Sequence, residues 1–218
     1  MKWLANNWQQ LPGLVVDHLE LCVPAILISI VISVPIGWLA YRHRLIGTPL
    51  LGAASLMYAI PALPLLVVIP IVFGLPLRSP ATMIVALTIY GVALLVRTAA
   101  DAFTAVDPEA HQAAVAVGHS GGSLFWLVDL PLATPVLVSG VRVMTVSTVS
   151  LVTLGALIGE SGLGLLLTDG FQRGIAAEVA TGIVATVIVA LVLDGIVLAI
   201  GCALTPWTWA THRGRGQA

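Results

Sequence analysis

Arg142 and Asp194 are charges set deep within long apolar runs, which makes them the first residues in this sequence with chemistry to explain. Arg142 follows Pro131 by eleven residues, and Asp194 precedes Leu204 by ten. At a rise of 1.5 Å per helical residue, both lie roughly 15 Å from the same side of the spans that carry them. A lone charge at that depth in a membrane is costly, so it pairs, faces water or gathers backbone carbonyls. Two readings are open: the two are neighbours or share a polar cavity, or each is satisfied separately. Close by, the hydroxyl-rich run from Thr145 to Thr153 includes Thr145 and Thr148. These side chains either line a polar pathway or bond within and between helices.

The second concentration of polarity is the glycine-bearing segment from Asp107 to Pro131, which separates two apolar runs. Asp107 suits an N-cap and Pro108 the first turn of a helix. Gln112, Ala113 and Ala114 then fall on a short helix that Gly118 ends. His119 to Ser123 reads as a turn, and Leu124 to Val128 leads back toward Pro131. Small residues at Ala113 and Ala114 permit close packing, so this face suits a groove on a partner. A solvated connection is the plainer alternative. Further on, Gly159-Glu160-Ser161-Gly162-Leu163-Gly164 reads as a turn, with Gly155 and Gly159 forming a weak GxxxG. Glu160, Asp169, Arg173 and Glu178 are expected to face outward, as a docking surface or simply solvated.

Other chemistry is missing. Lys2 is the only lysine and no GxxxxGK[ST] occurs, so the chain has no P-loop. Histidines 18, 43, 111, 119 and 212 are scattered without metal-ligand spacing, and there is no GxSxG. Cys22 and Cys202 sit in apolar runs and read as small hydrophobes.

The elements that must position these residues are membrane spans. Of 218 residues, 59% are hydrophobic and 9% charged, with mean hydropathy +1.06. A soluble domain carries roughly 25% charged residues. A net charge of −1 offers nothing to nucleic acid. Five runs are long enough to cross: Leu19–Tyr41, Leu50–Phe73, Pro80–Val96, Pro131–Ile158 and Val179–Leu204. The second contains Pro61, Pro64 and Pro70, which predicts a bent helix.

An odd number of spans puts the termini on opposite sides. With the N-terminus outside, Arg42, Arg44, Arg97, Arg213 and Arg215 are cytoplasmic, against Lys2, Arg78 and Arg173 outside. That is the positive-inside orientation. Residues 1–18 are then an extracytoplasmic segment with interfacial Trp3 and Trp8, and not a signal peptide. Residues 19–204 form the membrane domain, with a cytoplasmic loop over about 97–130, and 205–218 a cytoplasmic tail.

The 107–131 segment resembles the coupling loop of permease subunits of binding-protein-dependent ABC importers. That family has Glu-Ala-Ala, three residues, Gly, and a Leu-Pro about a dozen residues on. Here Ala113, Ala114, Gly118, Leu130 and Pro131 keep the spacing, while Gln112 stands where the family's Glu usually is. Glutamine still hydrogen-bonds but carries no charge, so any salt bridge made there by the family's Glu is lost. Gly140-Val141-Arg142 and the turn of Gly159, Gly162 and Gly164 are similar to the branch that imports osmoprotectants such as glycine betaine, choline, carnitine or proline betaine.

The likeness runs from roughly Leu45 to Leu204. It implies an all-α integral membrane protein of about five helices, the type I ABC importer permease fold, in the cytoplasmic membrane. It further implies ATPase subunits on the coupling loops, a second permease subunit (identical or homologous), and an extracytoplasmic substrate-binding protein. ATP and Mg would be bound by the partner ATPase, with no cofactor on this chain. Aromatic residues make up only 6% of the sequence, so primary recognition of a quaternary ammonium is expected in the binding protein. Rival readings are an importer for another small solute, an ion-coupled secondary transporter, a membrane enzyme and an assembly subunit.

Overall fold

The computed structural model describes residues 2–76 and 78–207 of the chain. Arg213 and Arg215, with most of the expected tail, lie outside the described residues. Every apolar run has become helix. In chain order these are α1 (Lys2–Asn7), a 3₁₀ turn (Trp8–Gln10), α2 (Leu11–Arg42), α3 (Arg44–Ala59), α4 (Ala62–Phe73) and α5 (Pro80–Thr104). There follow α6 (Pro108–Ala116), α7 (Gly121–Leu124), a π-helical turn (Phe125–Asp129), α8 (Leu130–Val152), α9 (Gly155–Ile158), α10 (Gly164–Gln172) and α11 (Ala176–Leu204).

Among the described residues, four stretches are long and apolar enough to cross a membrane, and α3 with α4 makes a fifth if counted as one broken span. The first runs 40 residues from Trp3 to Arg42. Its length of about 60 Å is twice a hydrocarbon core, so its amino-terminal part tilts or lies outside. The expected bent helix over 50–73 is instead broken, with its halves 110° apart. Proline disfavours the helical region for the residue before it, although Pro24, Pro35, Pro49, Pro70 and Pro135 are accommodated inside helices here. Ile60 (ψ 126°) and Pro61 (ψ 139°) are successive extended residues, so the helix stops and restarts instead of kinking. The fourth run reaches Ile158 as expected, with a turn at Thr153–Leu154 between α8 and α9 where Thr153 returns its hydroxyl to the Ser150 carbonyl at 2.7 Å.

Contacts at the helix ends define the threading. Ser161 donates to the Asp17 carboxylate, Gly159 lies against Arg78, and Gly162 covers His18. The start of α2, the α4–α5 connection and the chain beyond α8 therefore share one end. At the other end Gly121 lies against Arg42, and Trp38 bonds Asp129. The chain passes between these ends five times when the α3–α4 pair is taken as one passage.

At the centre α2 packs on α5. A Cβ placed on Gly37 would sit 2.5 Å from Ala99 Cβ, and one on Gly91 would sit 2.4 Å from Ser29 Oγ. Ser29 also donates to the Thr88 carbonyl at 3.2 Å. Cys22, Ala25, Met83, Leu95, Met144 and Val149 fill the space where α8 joins this pair. Helix α11 is peripheral: within its most apolar window only 6% of residues are buried.

Gly37→Ala should therefore lower thermal stability in detergent, by about 1–3 kcal/mol for an overpacked contact. Gly52→Ala in α3, where a Cβ meets nothing within 4 Å, should raise it by about 0.4–1 kcal/mol. Equal responses of the two variants would show that the α2–α5 contact is not close.

Candidate functional site

The polar segment between α5 and α8 is a protruding helix fixed at both ends. Asp107 caps α6 by accepting from the Glu109 amide at 2.9 Å, and Pro108 occupies the first turn. Gly118 takes φ +96°, a conformation that suits glycine, and the chain leaves the helix there. Gln112 and Ala113 are exposed, Ala114 is half-buried, and Val117 is 83% exposed. Ala113, Ala116 and Val117, spaced i, i+3 and i+4, form one exposed apolar face, and Val115 is exposed on the other side.

What fixes this helix is Asp129, a residue the spacing pattern did not single out. Its carboxylate is only 2% exposed. His111 Nδ1 on α6 donates to its Oδ1 at 2.8 Å, and Trp38 Nε1 on α2 donates to its Oδ2 at 3.2 Å. One buried carboxylate thus joins the protruding helix to the first span. Around it Phe125 meets Trp38 edge-on at 5.0 Å and Phe103 at 6.0 Å, while Arg42 lies 5.2 Å above the Trp38 ring. Phe125 and Asp129 both belong to the π-helical turn, a rare geometry that is frequent at functional sites. Pro131 follows where α8 runs on from this turn, and its missing amide is accommodated beside the widened helix. Sequence offered one signal for this joint, an acidic residue immediately before Leu-Pro, without a partner to give it meaning.

In the middle of the spans Arg142 and Asp194 pair directly. Arg142 Nε and Nη2 donate to Asp194 Oδ1 and Oδ2 at 2.8 and 2.6 Å, a two-pronged contact between α8 and α11. The side chains are 38% and 20% exposed in an open groove of about 700 Å³. Ser139, Ser147, Ser150 and Thr186 supply its hydroxyls. Thr145 and Thr148, for which pathway lining and helix bonding were both open, do not line this groove. They sit on the opposite flank of α8 and are buried; Thr148 bonds back to the Met144 carbonyl at 2.8 Å. The helical period decides this, because residues 139, 143, 146, 147 and 150 share a face with Arg142 that 145 and 148 do not.

At the opposite end of the molecule, the 159–164 turn packs inward. Gly159 and Gly162 have φ +89° and +143°, and a Cβ on Gly164 would fall 2.2 Å from the Thr153 carbonyl oxygen. His18, buried under Gly162, contacts the Val149 carbonyl through Nε2 at 3.1 Å. Glu160 and Glu178, expected to face outward, are both buried. The turn folds Glu160 back onto Gly155, bonding its amide to that carbonyl at 2.9 Å, and α10 covers Glu178 at Gly170. Asp169 and Arg173 are exposed and pair at 2.8 Å. Burial pushes the Glu160 carboxyl above its ordinary range. Among the described residues no group of three His, Cys, Asp or Glu side chains gathers as a metal site.

Comparison with known proteins gives this geometry its context. The family described as binding-protein-dependent transport system inner membrane component matches residues 29–209. The chain is 30% identical over 210 residues to an osmoprotectant import permease protein of Salmonella typhimurium, covering 94% of this chain and 96% of that one. It is 26% identical over 210 residues to a glycine betaine/carnitine/choline transport system permease protein of Bacillus subtilis, covering 94% of each. In fold it is similar to an inward-facing structure of the MetNI methionine ABC transporter, with TM-score 0.80 and 22% identity over 91% of this chain and 97% of that one.

Two outcomes follow from the site. Asp129→Ala strands the Trp38 and His111 donors, costing about 1–3 kcal/mol locally. Amide exchange over 108–116 should then speed roughly tenfold or more, while exchange in α5 stays slow. Unchanged protection of α6 would mean that another contact holds it. A raised Glu160 value means that the folded turn favours the protonated form. The turn should hold below the ordinary carboxylate range and loosen as pH rises through the raised value. Glu160→Gln should flatten that dependence in exchange measurements over 159–164.

Proposed function

This chain belongs to the binding-protein-dependent transport system inner membrane component family, and we propose that it is the membrane pathway and the mechanical lever of an ATP-driven osmoprotectant importer. It is a transport component of the inner membrane and not an enzyme. The observation that carries the lever reading is α6, a capped helix whose exposed Ala113 and Ala116 share a face with Val117 just beyond it, joined to the first span through Asp129. A rigid helix moves as one body, so a partner gripping that face transmits its motion to α2 and α8.

The partner in this reading is an ABC ATPase, which binds ATP and Mg and docks on Asp107, Pro108, Gln112, Ala113, Ala114 and Gly118. Pro131 then starts the span that the lever turns. ATP binding closes the ATPase pair, the levers of two permease subunits move, and the pathway between them opens to the other side. A substrate-binding protein delivers solute at the end that holds Gly159, Glu160, Gly162 and Gly164. In this reading the N-terminal segment over 1–18 belongs to the outer side and the tail over 205–218, most of it outside the described residues, to the cytoplasm. The substrate class follows the relatives whose names include osmoprotectant, glycine betaine, carnitine and choline.

Gln112 is exposed and uncharged, which favours a pathway built with a second, homologous permease over one built from two copies. Affinity purification of this chain from native membranes in mild detergent should bring down an ATPase and a second permease. Ala113→Trp should reduce ATPase recovery at least tenfold, because the new ring fills the packing face. Recovery of the chain alone, under conditions that preserve other membrane complexes, would favour an ion-coupled secondary transporter. Two copies without a second permease would remove the heteromeric arrangement only.

A further inference from the structure

The Arg142–Asp194 pair has an unusual setting for a structural staple. It lies near mid-depth on two spans, yet it opens into a groove of about 700 Å³ and is not sealed by packing. Lipid tails cannot cover that face, because the guanidinium, the carboxylate and the Ser147 hydroxyl require polar company. Ser139, Ser150 and Thr186 bond back to carbonyls of their own helices, at 3.3, 3.1 and 2.8 Å. They line the groove without claiming the charges. The groove therefore holds one ion pair and four hydroxyls on a wall otherwise made of Val143, Val146, Val187, Ala190 and Leu191, and it has room for a small solute with both charged and methylated parts.

Its chemistry selects the solute. A quaternary ammonium cannot donate a hydrogen bond, so it is held by aromatic faces or by an anion. No aromatic side chain lines this groove, which leaves Asp194 as the counter-charge. A carboxylate matches the fork of Arg142, whose Nε and Nη2 now hold Asp194 side by side. A solute carrying both groups can open the pair and satisfy both halves. A simple cation satisfies Asp194 but strands Arg142, and an anion does the reverse. We infer that Arg142 and Asp194 form an exchangeable ion pair that binds zwitterionic quaternary ammonium solutes in transit, with the guanidinium taking the solute's carboxylate and Asp194 its cationic end. The inference rests on the osmoprotectant reading above and adds a site within the permease that distinguishes betaines from choline-like cations.

The test uses the complete importer, with ATPase and binding protein, reconstituted in vesicles. Ser147→Cys is introduced into a Cys202→Ala background and labelled with a charged methanethiosulfonate during turnover. Labelling should proceed. Glycine betaine should slow it several-fold, and choline should slow it much less. The double variant Arg142→Gln/Asp194→Asn, which leaves no stranded charge, should label freely with no difference between the two compounds. An unreactive thiol, equal protection by both compounds, or full betaine protection in the double variant would overturn the site. Uptake by the importer with an unaltered permease is read in parallel. Failure to carry either compound would refute the osmoprotectant reading itself and the site with it, whereas uptake without pair-dependent protection refutes the site alone.

Discussion

In a hydrocarbon solvent, helices gain little by hiding apolar side chains from equally apolar lipid, so close backbone approach and internal hydrogen bonds must hold them together. The crossing of α2 and α5 supplies both. Gly37 lets α2 touch Ala99, Gly91 lets α5 touch Ser29, and the Ser29 hydroxyl reaches the Thr88 carbonyl. Helix α8 packs into the corner that these two define, with Met144 and Val149 fully buried there. Helix α11 then rests on α8, where Gly201 meets Val138 and Asp194 meets Arg142. A change in spacing at the first crossing would reach the ion pair through only two further contacts.

The polar residues divide according to what surrounds them. At the α6 end, Asp129 is enclosed and holds two donors from two separate helices, which suits a joint that must stay fixed. In the middle, Arg142 and Asp194 have only each other and an open groove, which suits a contact that can be exchanged. At the far end, Glu160 is buried in the glycine-rich turn and Glu178 beneath α10, while the Asp169–Arg173 pair faces out. Rigidity and exchange are thus separated along the length of the same spans.

Much of this was legible from residue types and spacing. Run length gave the spans, and Asp107-Pro108 with Gly118 gave both ends of α6, because caps and left-handed glycines are local in origin. Matching depths offered the Arg142–Asp194 neighbourhood as one of two readings, since rise per residue converts directly to height. Azimuth was harder to read. Which flank Thr145 and Thr148 present depends on where α5 packs, and that contact is tertiary. The break at Ile60–Pro61 was read as a bend because proline only weakens a helix locally; two successive extended residues were needed to stop it. Asp129 was missed for the same kind of reason, since its partners lie 18 and 91 residues away in sequence.

The π-helical turn at Phe125–Asp129 sets a phase between two parts of the molecule. An α-helix advances about 100° per residue, so one extra peptide in a widened turn reorients everything before it relative to everything after it by a large angle. In this chain that offset aims Phe125 and Asp129 at α2 while α8 keeps Met144 and Val149 toward the core. The segment fixes an angular offset between α7 and α8, set by the number of residues between Ser120 and Leu130. Substitutions within it alter the contacts with α2, whereas an insertion or deletion rotates α8 against everything before it.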